Sequence, residues 1–300
     1  MLAKEGVIAL MPAVLPLISF LYVRKSDNNV IVTRDTWEKE YDYIVEKPLT
    51  VKFSNIAAKL EHQNKIKKCL FASVGAGSAG AVIASRLSEI PHVKVLLLEA
   101  GGSENIISDI PIAYQSLQQT PMDWSYVTEP QEAACFGHIE RRSRWPRGRV
   151  LGGSSVINAL IYNRGNRIDY DLWHQNGAVG WSWDEIFPYF LKSEDNRDPK
   201  YAFNGYHGQG GYLTVQTTPS LTPIGLSWPA AGAFLNYKTI DVNGPTQTGF
   251  TTPQGTLRRG ARCSTAKAFL LPAKARPNLH VIAFSYVTRS HPNNFLKYNI

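Results

Sequence analysis

Val74–Gly102 reads VGAGSAGAVIASRLSEIPHVKVLLLEAGG, and the fold class follows from it. Gly75, Gly77 and Gly80 give the spacing G-x-G-x-x-G. Leu70, Phe71, Ala72 and Val74 form an apolar run before them, and small and apolar residues at helical spacing follow from Ser78 to Leu87. A buried-strand pattern then spans Val93 to Leu98, and Glu99 closes it about 20 residues beyond the glycines. Each part has a physical task. Gly75 allows the tight turn, Gly77 lets backbone approach a pyrophosphate, and Gly80 lets helix and strand pack closely. Free N–H groups at the helix start, from Ser78 on, suit phosphate charge. Glu99 can accept hydrogen bonds from a ribose 2′-OH. The spacing alone also fits a glycine turn in an ordinary βαβ unit. Here strand, helix, second strand and acid stand in order, so the stretch reads as a nucleotide site.

A second glycine block, Trp145–Asn158, reads WPRGRVLGGSSVIN. Gly148, Gly152 and Gly153 permit a backbone that lies against a flat ring. Ser154 and Ser155 are good helix caps, and Val156, Ile157, Leu160 and Ile161 are expected to begin a helix. Another helix N-terminus after a glycine loop suits an anion or a polarised ring carbonyl. The alternative is a glycine loop that merely turns into a helix.

The chain has 300 residues, enough for one large or two smaller domains. Its net charge of +8 is dispersed except in two clusters, Lys65, Lys67 and Lys68, and Arg141, Arg142, Arg144, Arg147 and Arg149. The first reads as a solvated face; the second suits an anionic cofactor. No nucleic-acid module accompanies the charge, so no nucleic-acid partner is expected. Cys69, Cys135 and Cys263 describe neither a disulfide framework nor a zinc site. The sequence holds no Asn-x-Ser/Thr sequon.

Val7–Val23 is an uncharged apolar run between Lys4 and Arg24, with Pro12 and Pro16 interrupting any continuous helix. It is expected to be a secretory signal or signal anchor, giving a secreted or membrane-anchored chain; the alternative is an unstructured or mispredicted N-terminus. Residues 26–40 read as a linker. Helices are expected over Arg167–Gln175 and Trp183–Lys192, the latter kinked or delayed by Pro188. Strands are expected over Tyr212–Val215 and Leu279–Phe284. Ser264 is expected to cap a helix that runs to Leu271 and stops at Pro272.

Taken together the two glycine blocks resemble the glucose–methanol–choline oxidoreductases, and within them the insect glucose-dehydrogenase-like members. The residues that carry the resemblance are VGAGSAGAVIASRLSE, VLLLEAGG, DWSYVTEPQ, WPRGRVLGGSSVINALIYNRGNRIDYDLW, GYLTV, QTGF and RRGARCSTAKAFLLPA. The resemblance implies an α/β fold, a Rossmann-like FAD-binding domain with part of an α+β substrate domain. It implies a non-covalent or covalent FAD flavoprotein that oxidises the CH–OH group of an alcohol or sugar and passes electrons to a quinone, dye or oxygen. Gly75, Gly77, Ser78, Gly80 and Glu99 resemble the ADP-binding positions. Arg147, Val150, Gly153, Asn158, Ala159, Leu160 and Ile161 match the segment that lies against the flavin. Val287 resembles a valine whose backbone meets the adenine, although a plain core-strand valine would look the same. The family's base is a histidine in a region without a counterpart here. None of His62, His92, His138, His174, His207, His280 and His291 stands in its context, so no catalytic residue and no metal ligand is assigned. A nicotinamide-dependent dehydrogenase is the rival from the same broad fold; the Gly148 block and RCSTA argue against it.

The chain departs from the family pattern in several places. Residues 46–73 intervene between YDYIV at Tyr41–Val45 and the glycines, where family members join the two directly. An unspliced intron or a gene-model error would produce this; a natural loop is the alternative. Cys69–Val74 is expected to replace Tyr41–Val45 in the sheet's centre, with a loose lysine-rich segment before it. Cys135 resembles one half of a family cysteine pair, but the partner position holds Ser143. Gly225, Pro229 and Gly232 weaken the helix that the resemblance implies within 221–235. The tail SHPNNFLKYNI is unlike the family, and the second signature is absent. The domain organisation expected is therefore an apolar segment and linker over 1–40. The N-terminal FAD-binding region follows over 41–300, with the start of the substrate domain interleaved. Such a chain is expected to be incomplete and inactive as written, or to be a non-enzymatic FAD-binding fragment.

Overall fold

The computed structural model describes residues 49–51, 71–201 and 203–287. Three parallel strands carry the first glycine turn, in the order Leu279–Ile282, Val95–Leu98, Phe71–Val74. The middle strand, VLLL, is apolar throughout because both its faces are covered. Helix Ser78–Leu87 packs on one face through Ala81 and Ala84, both fully buried beside Val95, Leu97 and Val281. Small side chains are required there. A Cβ on Gly80 would lie 2.0 Å from the Gly75 carbonyl oxygen.

Phe71–Val74 feeds directly into Gly75, as expected, but among the described residues it lies at an edge of this three-stranded sheet and not at its centre. Among the described residues only Val95–Leu98 pairs with it, which leaves Phe71 44 % and Val74 58 % exposed. Leu49–Val51, from the stretch expected to be loose, forms a parallel strand with Ser285–Val287. The remaining expectations for Val7–Val23, residues 26–40, Tyr41–Val45 and Cys69 lie outside the described residues. Among the described residues no helix is long and apolar enough to cross a membrane. Cys135 and Cys263 are free thiols.

Several element boundaries differ from the sequence reading. The second strand begins at Val95 and the Leu279 strand ends at Ile282, where Phe284 takes a positive φ and redirects the chain. The expected strand over Tyr212–Val215 spans Leu213–Thr217. Arg167–Gln175 is a helix as expected, and Trp183–Ser193 starts on time through a Ser182–Glu185 capping box with Pro188 inside it. Pro223–Phe234 is helical despite Pro229 and Gly232. Thr222 caps it, and Gly232 is where the ring of Phe250 packs, 2.3 Å from the position of a Cβ. Pro272 does not stop the Ser264 helix. A widened π-type turn, Ala266–Leu270, runs into a short α-helix, Leu271–Ala273, whose first turn accommodates a proline without an N–H.

A second small sheet, Glu194–Asn196, Leu213–Thr217 and Gln254–Gly255, is organised around buried charge. His207 is fully buried at its side chain, with Nδ1 2.7 Å from Glu194 and Nε2 2.9 Å from Asp241. The Arg164 guanidinium pairs with the other oxygen of Glu194. Burial alone would lower the His207 pKa, but the hydrogen bonds to Asp241 and Glu194 outweigh it and raise the value from 6.5 to about 9. A raised folded-state pKa stabilises the fold fully below 6.5, and that contribution is lost as pH rises through about 9. The melting temperature should therefore decline between these pH values, and His207→Gln should remove that part of the slope. Identical pH profiles for parent and variant would contradict the assignment.

Candidate cofactor-binding site

The two glycine blocks meet at Ala76, which is fully buried. Its N–H donates to Glu99 Oε2 at 2.8 Å, and its carbonyl accepts from the Gly152 N–H at 2.8 Å. Glu99 Oε1 accepts from the Gly101 N–H, also at 2.8 Å. One carboxylate thus ties the glycine turn to the chain that leaves the neighbouring strand, at the same C-terminal end of the sheet. Burial raises the Glu99 pKa, and the backbone donors and Arg149 oppose that rise. Gly102 pairs with Val150, and the Leu151 N–H donates to the Gly102 carbonyl at 2.8 Å. Contact is so close that a Cβ on Gly101 would stand 1.9 Å from the Arg149 carbonyl oxygen.

Gly77 and Gly153 face one another across this junction. Gly153 has φ +55°, and a Cβ there would come 2.6 Å from Gly77 Cα. A Cβ on Gly77 would meet only Gly153 Cα, at 3.9 Å, and one on Gly75 would meet nothing within 4 Å. The backbone of the first turn therefore borders open space. No side chain caps the helix that starts at Ser78, and its first turn holds no acidic residue. Uncapped N–H groups beside open space are what a phosphate requires.

Arg147 is held by its backbone. Its N–H donates to Asp123 Oδ1 at 2.9 Å, while its exposed guanidinium lies over the Trp145 ring. Asp123 also accepts from the N–H groups of Gln119 and Ser125. Burial would raise its pKa, but these three backbone donors outweigh it and hold the carboxyl below its usual range. Val150 is fully buried under the second turn. Val287 ends a strand that leaves the same region, since the Ser285 N–H donates to the Glu99 carbonyl at 2.6 Å. Trp124 stands between that strand and the second block, 5.7 Å from the Tyr286 ring and beneath the Arg149 guanidinium.

Asn158–Ile161 does not continue the helix as the sequence suggests. The helix spans only Ser154–Ile157, with Gly153 as its cap. Ser154 Oγ instead accepts from the Gly148 N–H, and Ser155 Oγ accepts from the Thr265 N–H, so the serines brace the loop. Leu160 then adopts φ +64° and turns the chain, leaving Ile161 65 % exposed. The structure thus gathers Gly75, Gly77, Ser78, Gly80, Glu99, Val150 and Gly153 at one junction, with Arg147 and Val287 flanking it and Asn158–Ile161 beyond the short helix. Sequence reasoning passed over Asp123 and Arg262. Asp123 lies inside DWSYVTEPQ, but no spacing rule marks a side chain that works by accepting backbone N–H groups.

Residues 70–292 match a family described as GMC oxidoreductase. A glucose dehydrogenase (FAD, quinone) of Drosophila melanogaster is 45 % identical over 225 residues, 74 % of this chain and 36 % of that protein. An alcohol dehydrogenase (acceptor) of Pseudomonas putida is 40 % identical over 72 % of this chain and 39 % of its own length. The crystal structure of pyridoxine 4-oxidase from Mesorbium loti superposes with a TM-score of 0.66 at 34 % identity, covering 72 % of this chain and 42 % of that one. The chain thus spans well under half the length of the relatives it matches.

Proposed function

The chain belongs to the GMC oxidoreductase family, and from that premise we propose that it binds FAD as part of an oxidoreductase acting on CH–OH groups. The observation that carries this reading is the junction at Ala76, where two glycine turns are locked together with open space beside the first. Gly75, Gly77 and the N–H groups from Ser78 onward would hold the pyrophosphate. Glu99, whose carboxylate oxygens each keep further acceptor capacity, would meet the adenosine ribose. Val150, Gly153 and Asn158–Ile161 would border the ring, with Arg147 beside it and the Val287 strand beside the adenine. The bound flavin supplies hydride acceptance, and the protein supplies position and electrostatics. The substrate class proposed is an alcohol or sugar, with a quinone-type acceptor, as in the names of the relatives. A signal or anchor role for Val7–Val23 is proposed from its composition alone.

Oxidising a carbinol also needs a group that takes the hydroxyl proton. His207 is already committed to Glu194 and Asp241, and no other described histidine stands in a pattern that fits the task. The 300-residue chain, loaded with FAD, is therefore expected to show flavin absorbance but only background dye reduction with glucose, choline and simple alcohols. Absence of flavin would refute the cofactor assignment. Robust turnover would refute the expectation that none of the described histidines acts as the base.

A further inference from the structure

Arg262 is among the largest side chains that are fully buried, at 1 % exposure, and it stands far in sequence from the residues it touches. Its Nε donates to the Ser108 carbonyl at 2.8 Å. One terminal nitrogen donates to the Ser155 carbonyl at 3.0 Å and to Asn158 Oδ1 at 2.7 Å; the other donates to the Asn158 carbonyl at 2.8 Å. The planar fork therefore grips the end of the short helix and both oxygens of the residue that follows it.

This grip has a consequence at Leu160. Asn158 Oδ1 also accepts from the Leu160 N–H, at 3.1 Å, and the Leu160 carbonyl accepts from the Thr256 N–H at 2.9 Å. Thr256 and Arg262 belong to one segment, since Leu257 pairs with Arg262 and the Cys263 N–H donates to the Thr256 carbonyl. Leu160 holds φ +64°, which a non-glycine residue adopts rarely and keeps where its surroundings enforce it. Two donors fix which terminal atom of Asn158 is oxygen. The amide's NH₂ is thereby left to the outer side, where Asn158 and Ala159 are exposed.

We propose that Arg262 is a positioning residue that presets the 158–161 turn and the Asn158 amide as a rigid donor edge for the isoalloxazine ring. The inference rests on the FAD reading above and adds to it a residue that touches no part of the cofactor. Arg262→Lys keeps the positive charge, which Glu104 and Asp109 balance, but a single ammonium cannot span Ser108, Ser155 and Asn158 at once.

The test uses the full chain and three readouts: FAD titration followed by flavin absorbance and visible circular dichroism, amide hydrogen exchange at Leu160 and Thr256, and thermal melting. Arg276→Gln is the control, because Arg276 bonds Ser85 and Ser88 at the far end of the Ser78–Leu87 helix. Arg262→Lys should weaken FAD binding by about tenfold, the loss of one hydrogen bond from the Asn158 amide to the ring, and alter the flavin dichroism. Asn158→Ala should do the same, and the double variant should be no worse than either single one, as groups acting as one unit behave. Leu160 exchange should rise in Arg262→Lys and stay unchanged in Arg276→Gln. Unaltered exchange and unaltered dichroism in a folded Arg262→Lys protein would overturn the proposal. So would FAD loss no greater than in an equally destabilised Arg276→Gln. If the parent chain took up no FAD, the functional reading would fail, and Leu160 exchange would still decide whether Arg262 sets the turn.

Discussion

Gly77→Ala is expected to leave the fold intact and to weaken FAD binding by at least about 100-fold, the equivalent of two charge-assisted hydrogen bonds to phosphate. Gly77 has φ −71°, an ordinary value for any residue, and its Cβ would meet protein only at Gly153 Cα, 3.9 Å away. The protein itself therefore has room for the methyl group, and only an occupant of the open space would feel it. Melting temperature should be unchanged or slightly higher, since Gly→Ala at a compatible site restricts the unfolded chain. Gly80→Ala is the contrast. Its Cβ would lie 2.0 Å from the Gly75 carbonyl oxygen, so helix and strand would be forced apart whether or not cofactor is present. Equal FAD affinity in Gly77→Ala and the parent would place the phosphates elsewhere.

Glu99→Ala is expected to fail in both respects. Glu99 is 5 % exposed, and its loss strands the N–H groups of Ala76 and Gly101. Each unsatisfied buried donor costs about 1–3 kcal/mol, so about 2–6 kcal/mol of stability should go, together with the proposed ribose contact. Glu99→Gln keeps one acceptor oxygen and turns an NH₂ toward the other N–H, so it should lose part of that. Urea denaturation measures the first effect and FAD titration the second. A Glu99→Ala protein as stable as the parent would contradict the view that this carboxylate staples the junction.

The glycine turn was legible because its chemistry is local. Gly75, Gly77, Gly80 and Glu99 sit where spacing puts them, and the strand that feeds the turn comes from Phe71–Val74 as its apolar residues suggest. What was not legible depends on partners far away in sequence. Periodicity carried the helix from Ser154 past Leu160, but Arg262 and Thr256 pull the chain into a turn there, more than 90 residues away in sequence. Pro272 read as a stop and Pro229 as a weakening of its helix, yet a widened turn before the one and the packing of Phe250 on Gly232 near the other keep both segments helical. His207 stood outside the base's context in the sequence, and nothing near it announced Asp241 as its partner.

FAD is proposed to bind at the junction at Ala76. Calorimetric titration of the 300-residue chain with FAD, FMN and NAD in turn tests it most directly. FAD is expected to bind, FMN, lacking the adenosine half, to bind at least about tenfold more weakly, and NAD not to compete. Binding of NAD as tight as that of FAD, or binding of neither, would contradict it.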